Sequence, residues 1–274
     1  MRAAPQKTAN IGGAAVAAIL RSGNDPVEET MEPKTLCFDL YGTLADICTD
    51  ESLPGAFEAL AQRCAAFGAV WQPEELRAFY ESRGAVLHDV AEAQPGWAEL
   101  DYTPLFAMLL TEKGAQATPE AVADLAWTFR RATTLHLEMY PGAADFLKKA
   151  RAAGFRCVLA SNAQKLFTRP ELELLGLNEL MDVSCISSEE GFKKPDHRFY
   201  AAMLAKADTK PADAMMIGND AVRDVAGAVE AGLTAAYFHT ALSPVDDPCH
   251  PPLARYSFDG PNYAGLAEAL GINH

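Results

Sequence analysis

Leu36-Cys37-Phe38-Asp39-Leu40-Tyr41-Gly42-Thr43-Leu44 is the stretch whose reading decides the fold. The residues up to Phe38 form a short apolar run, which predicts a buried strand beginning at Thr35. Asp39 closes that run, and Gly42-Thr43 predicts a turn just behind it. Open α/β sheets gather their ligands at the carboxyl ends of strands. A carboxylate in that position can attack an electrophilic phosphorus or carbon, so Asp39 is the candidate nucleophile.

Beyond Pro141 the chain alternates. Strands are predicted at 155–160, 183–186, 214–218, 234–238 and 256–258, with helices at 143–152, 166–175, 198–206, 222–231 and 264–270. Near-continuous apolar strands separated by helices predict an α/β fold with a doubly wound, mostly parallel sheet covered on both faces. Between Asp39 and this region, apolar residues recur at helical spacing (Phe57, Leu60, Cys64 and Phe67; then Leu76, Phe79 and Tyr80). Pro73, Pro104 and Pro119 suit first helical turns, and Thr118 suits an N-cap. Residues 49–137 therefore read as an inserted, all-helical cap without a convincing strand, and 31–48 with 138–274 as the core. Residues 1–30 read as a leader outside the core, carrying a short helix around 11–20 or no order.

Asp and Glu number 37 against 23 Lys and Arg, a formal charge of -14 over 274 residues. That sign repels nucleic acid and anionic membranes, and a phosphate site must build its own local positive potential. No window is apolar for long enough to span a bilayer. The six cysteines show no CxxC pair; Cys37, Cys157 and Cys185 fall in or beside strands as buried thiols, which suits a reducing cytoplasm.

Four polar clusters fall at predicted strand ends: Asp39 with Tyr41 and Thr43; Ser161-Asn162; Lys193-Lys194-Pro195-Asp196; and Gly218-Asn219-Asp220 with Asp224. Any one of them can simply cap the next helix, whereas four in one layer converge on a site. Asp220 and Asp224, one helical turn apart, can hold or orient a hard cation such as Mg²⁺. Lys194 supplies a point charge between nucleophile and transferring oxygen, and Ser161 and Asn162 supply a hydroxyl and an amide.

The order and content of these clusters resemble the haloacid dehalogenase superfamily over essentially everything after the leader. The resemblance implies a doubly wound core with a helical cap, and, among the family's phosphatases, an aspartyl-phosphate at Asp39. It also implies catalytic Asp39 and Lys194, phosphate contacts from Thr43, Ser161, Asn162 and Lys194, and Mg²⁺ held by Asp39, the Tyr41 carbonyl, Asp220 and Asp224, the last directly or through water. One departure matters: such phosphatases usually carry an acid–base Asp where this chain has Tyr41, whose ordinary pKa near ~10 makes it a poor base. Asp46 reads first as a hinge residue and second as a substitute acid; Arg130-Arg131 reads as a solvated helix face. The expected function is Mg²⁺-dependent hydrolysis of a small organic phosphate by a monomer or homodimer with no nucleic-acid or membrane partner. The alternatives are metal-independent 2-haloacid dehalogenation, and a phosphate-binding regulator with weak turnover.

Overall fold

The computed structural model describes residues 33–94 and 96–272. The leader and its expected short helix lie outside the described residues. The central sheet has six strands, β1 (Thr35–Phe38), β4 (Arg156–Ser161), β5 (Val183–Ile186), β6 (Ala214–Gly218), β7 (Thr234–His239) and β8 (Tyr256–Asp259). They lie in the order β5-β4-β1-β6-β7-β8, and every neighbouring pair is parallel. β1 thus sits centrally, between the two strands that end in Ser161 and Gly218. This brings the distant sequence clusters to one edge.

The strand periodicity accounts for the two apolar layers. Leu36 and Phe38 pack on one face with Phe146, Leu147, Leu159 and Leu266. Cys37 points the other way, among Val158, Phe199, Tyr200 and Met216. Alternate side chains leave a strand on opposite faces, so a centrally placed strand must be apolar throughout. Cys37, Cys157 and Cys185 are free and buried, and burial pushes the thiols of Cys157 and Cys185 up to about 12.

Between β1 and β4 the chain forms the helical cap, with helices Pro54–Ala66, Pro73–Glu92, Thr103–Thr111 and Pro119–Thr133. Each has proline in its first turn, and Thr118 caps the last, accepting from the Ala121 amide at 3.2 Å. Its apolar interior is separate from those of the sheet and is rich in rings: Phe57, Tyr80, Phe106 and Phe129. One core residue, Phe167, belongs to that interior.

Two expectations are corrected. The end of the helical stretch forms strand β3 (Thr134–Met139), which pairs antiparallel with β2 (Ala45–Thr49). Leu135-His136-Leu137 is compatible with a helix in isolation; a partner strand, brought alongside only by the fold, satisfies its backbone instead. The expected helix at 222–231 is a π-helical segment, Ala221–Ala226, followed by the short α-helix Gly227–Glu230. Val225 N donates five residues back to the Asp220 carbonyl at 3.2 Å. Such widened turns recur at functional sites, and this one immediately follows the β6 loop.

Candidate active site

Asp39 leaves β1 with its amide donating to the Ile217 carbonyl at 2.9 Å, so its backbone is fixed by the neighbouring strand. Lys194 Nζ donates to Asp39 Oδ1 at 2.8 Å and to Asp224 Oδ1 at 2.6 Å. The Lys194 side chain is only 2% exposed, and its charge is matched on both sides. Burial alone would lower its pKa, but the Asp224 and Asp39 carboxylates outweigh burial and raise it. Asp224 Oδ2 accepts from the amides of Asn219 and Asp220, each at 3.0 Å. Both oxygens of Asp224 are therefore engaged within the protein, and burial pushes its carboxyl up to about 7 while Lys194 pulls the other way. A side chain at Gly218 would overlap that carboxylate: a Cβ there would lie 2.3 Å from Asp224 Oδ2.

The other strand ends converge unequally. Asn162, expected to face a phosphate, instead uses both ends of its amide on the Lys194 backbone: Nδ2 donates to the carbonyl at 2.9 Å and Oδ1 accepts from the amide at 2.8 Å. It clamps the lysine in place. Ser161 is 1% exposed, and its Oγ has no hydrogen-bond partner among the described residues. A buried hydroxyl without a partner costs about 1–3 kcal/mol, so an unmatched one at a strand end invites a ligand oxygen. Thr43 Oγ1 donates to Asn219 Oδ1 at 3.3 Å. Asp220 caps the π-helical segment, its Oδ1 accepting from the amides of Val222 and Arg223, and its Oδ2 pairs with Arg223 at 3.1 Å. It is consequently Asn219 that meets the nucleophile loop. Gly42 has φ +84°, and a Cβ there would lie 2.2 Å from Asn219 Nδ2. Sequence reasoning passed over Asn219 because the acid beside it was chemically more eloquent; its position immediately after β6 was the available signal.

Tyr41 points to helix Lys165–Leu174. Its hydroxyl donates to Glu171 Oε2 and lies 3.2 Å from Thr168 Oγ1. Burial raises its pKa beyond the ordinary tyrosine range, the Glu171 charge adds to the effect, and Arg130 opposes it. These surroundings favour the protonated phenol. Glu171 also accepts from Arg130 Nε at 2.6 Å, so Arg130 is a half-buried ion-pair partner and not part of a solvated face. Asp46 lies in the β2–β3 ribbon, 3.5 Å from His136 Nε2 and 43% exposed.

The oxygens on these loops suit a hard cation in chemistry: the Asp39 carboxylate, the Tyr41 carbonyl, and the side-chain oxygens of Asn219 and Asp220. Among the described residues no three or more His, Cys, Asp or Glu side chains are grouped to hold a metal ion. A cation of the Mg²⁺ type remains compatible, because it binds through one or two carboxylates and keeps several waters.

A central Asp loop, a lysine from the third cluster and a helical cap define a hydrolase of the Asp-nucleophile type. The family model of haloacid dehalogenase-like hydrolases matches residues 33–232, and the chain belongs to that family. A phosphoserine phosphatase from Thermus thermophilus is 33% identical over 162 residues, covering 59% of this chain and 64% of that enzyme. The match thus spans less than two-thirds of that relative's length. A 2-haloacid dehalogenase from Pseudomonas syringae pv. Tomato DC3000 has the same fold at TM-score 0.58 and 19% identity, covering 87% of this chain and 98% of the other. A HAD phosphatase from Thermococcus onnurineus gives TM-score 0.55 and 19% identity, covering 88% and 99%. Among the described residues no helix is long and apolar enough to cross a membrane.

Proposed function

We propose that this chain is a Mg²⁺-dependent phosphatase of small organic phosphates whose leaving groups depart without a proton. The observation that carries the reading is the buried Ser161 Oγ, without a hydrogen-bond partner among the described residues, on the edge that also bears the Asp39–Lys194–Asp224 row. In this reading residues 49–137 are the cap. Asp39 attacks phosphorus; the bond to the leaving oxygen breaks and its electron pair goes with the leaving group. Lys194 holds Asp39 in its attacking rotamer, and Asp224, saturated by Lys194 and two amides, holds Lys194. Ser161 donates its hydroxyl hydrogen to a transferring oxygen, and Thr43 fixes Asn219 beside the loop. Asp39, the Tyr41 carbonyl and an oxygen of Asn219 or Asp220 would hold Mg²⁺, which supplies Lewis-acid neutralisation of the phosphoryl charge. Water then attacks the phosphorus of the aspartyl-phosphate; the bond from phosphorus to the Asp39 oxygen breaks, its electron pair returns to the carboxylate, and the proton of the attacking water stays on the released phosphate, since Tyr41 supplies no carboxylate to take it.

Acyl and aryl phosphates are the favoured substrates, since their leaving groups are stable as anions. Acetyl phosphate and p-nitrophenyl phosphate should be hydrolysed far faster than an alkyl phosphate, and EDTA and Asp39→Asn should each abolish phosphate release. Slow cleavage without a base should leave phosphorylated Asp39 detectable by mass spectrometry after acid quenching. EDTA-insensitive halide release from a 2-haloacid would overturn the proposal in favour of the second reading, which Tyr41 motivates.

A further inference from the structure

Glu171 is a fully buried acid that the chemistry above does not use. It lies on helix Lys165–Leu174, beyond the loop that follows β4. Phe167, Thr168 and Glu171 are all buried; the first two lie four and three residues before Glu171, so both share its face of that helix. Together they reach two other parts of the molecule. Phe167 enters the cap interior, where its ring lies 6.0 Å from Phe106. Thr168 and Glu171 meet the Tyr41 hydroxyl in the nucleophile loop. Glu171 also holds Arg130, which comes from the last cap helix, Pro119–Thr133. The Arg130 guanidinium lies over both the Phe167 ring, at 5.2 Å, and the Tyr41 ring, at 5.8 Å. One carboxylate thus joins nucleophile loop, core helix and cap.

We propose that Glu171 is a positioning residue that couples the seating of the cap to the geometry of the Asp39 loop through Tyr41 and Arg130. The inference rests on the phosphatase reading for its kinetic arm only. Tyr41 is two residues from Asp39, and its backbone carries the carbonyl assigned to the cation. The loop between them and Ala45 is closed by Gly42 N to the Ala45 carbonyl at 2.8 Å and by the Leu44 and Ala45 amides to the Leu40 carbonyl at 2.8 and 2.9 Å. Anchoring the phenol restrains this turn, and Arg130 makes the anchor depend on where the last cap helix lies. A loop displacement near 1 Å changes turnover by on the order of 100-fold.

The test uses the full chain carrying Glu171→Gln, with Tyr41→Phe as a second variant that keeps the ring and removes its donor. Hydrogen exchange at the Gly42, Leu44 and Ala45 amides should accelerate in both variants, while amides in β6 keep their protection. With acetyl phosphate, kcat should fall on the order of 10- to 100-fold with KM changed much less. Unchanged exchange at these amides in both folded variants overturns the inference, as does faster exchange spread uniformly over the fold, which marks a merely structural role. A wild-type chain inactive on phosphates sinks the phosphatase reading alone, because the exchange arm still reads the coupling. Abolition of turnover by Tyr41→Phe with unchanged exchange would make the phenol itself catalytic and overturn the positioning role.

Discussion

At Asp39 one lysine keeps the charge balance. Lys194 stands between two carboxylates in a site nearly closed to water, and breaking a buried pair costs about 3–5 kcal/mol because the partners stay charged and unmatched. Lys194→Met is expected to lose about that much stability in urea denaturation, as well as all turnover. Tyr41→Asp introduces the acid that the resemblance to the family's phosphatases leads one to expect at this position, yet the structure argues against a simple gain. The exchange places a second acid beside buried Glu171 and removes the phenol's hydrogen bond. We expect a lower melting temperature than wild type, and a higher phosphatase rate only when Glu171→Gln accompanies it. Asp39, Lys194 and Ser161 were legible as candidates because the chemistry proposed for them follows from residue type and strand-end position. The partners that Asn162 and Asp220 take were not legible, because a residue's type does not reveal which way its side chain turns.

Among the elements, helix His197–Ala207 shows how a motif residue can serve structure. Asp196 is its N-cap: Oδ1 accepts from the Arg198 amide at 2.9 Å, and Oδ2 accepts from the Trp97 amide of the cap at 3.1 Å. The Arg198 side chain, above all, holds the Asp196 carboxyl well below the usual carboxylate range. Because the folded pKa is depressed, this stabilisation is complete above the unfolded value of about 4 and is lost as pH falls below it. Asp196→Asn should therefore flatten the acid limb of the stability curve, read as melting temperature between pH 5 and pH 3, approximate limits set by that carboxylate range. Element identity was readable wherever periodicity ran long, as in the strands and the cap helices. It failed at β3 and at the π-helical segment, where a distant strand and the hydrogen bonds around Asp224 decide the backbone.

Over the whole molecule, cap and core are joined along more than the ribbon. The Tyr102 amide donates to Gln164 Oε1 at 2.9 Å, Gln164 Nε2 to the Leu100 carbonyl at 2.8 Å, and Glu99 N to the Gly191 carbonyl at 3.0 Å. The cap segment 97–102 is therefore hydrogen-bonded to the loops beyond β4 and β5. If Mg²⁺ binds the folded chain as proposed, saturating it at 100 times its dissociation constant adds about 2.7 kcal/mol of stability. Differential scanning calorimetry should show a higher melting temperature with Mg²⁺ than with EDTA, and Asp39→Asn should lose most of that rise.

The sequence by itself determined the layer architecture and the family, because strand burial, helical periodicity and the strand-end clusters are local patterns that the chain writes in order. It also marked Asp39 and the oddity of Tyr41. Only the tertiary structure decided which neighbour each polar side chain would take. The parallel order around β1 brings Lys194 between Asp39 and Asp224, sets Asn219 against Thr43 of the Asp39 loop, and ties Tyr41 to Glu171 and Arg130. Those pairings join residues up to 176 positions apart, and their energies come from burial and hydrogen-bond geometry, which no local pattern of residues encodes.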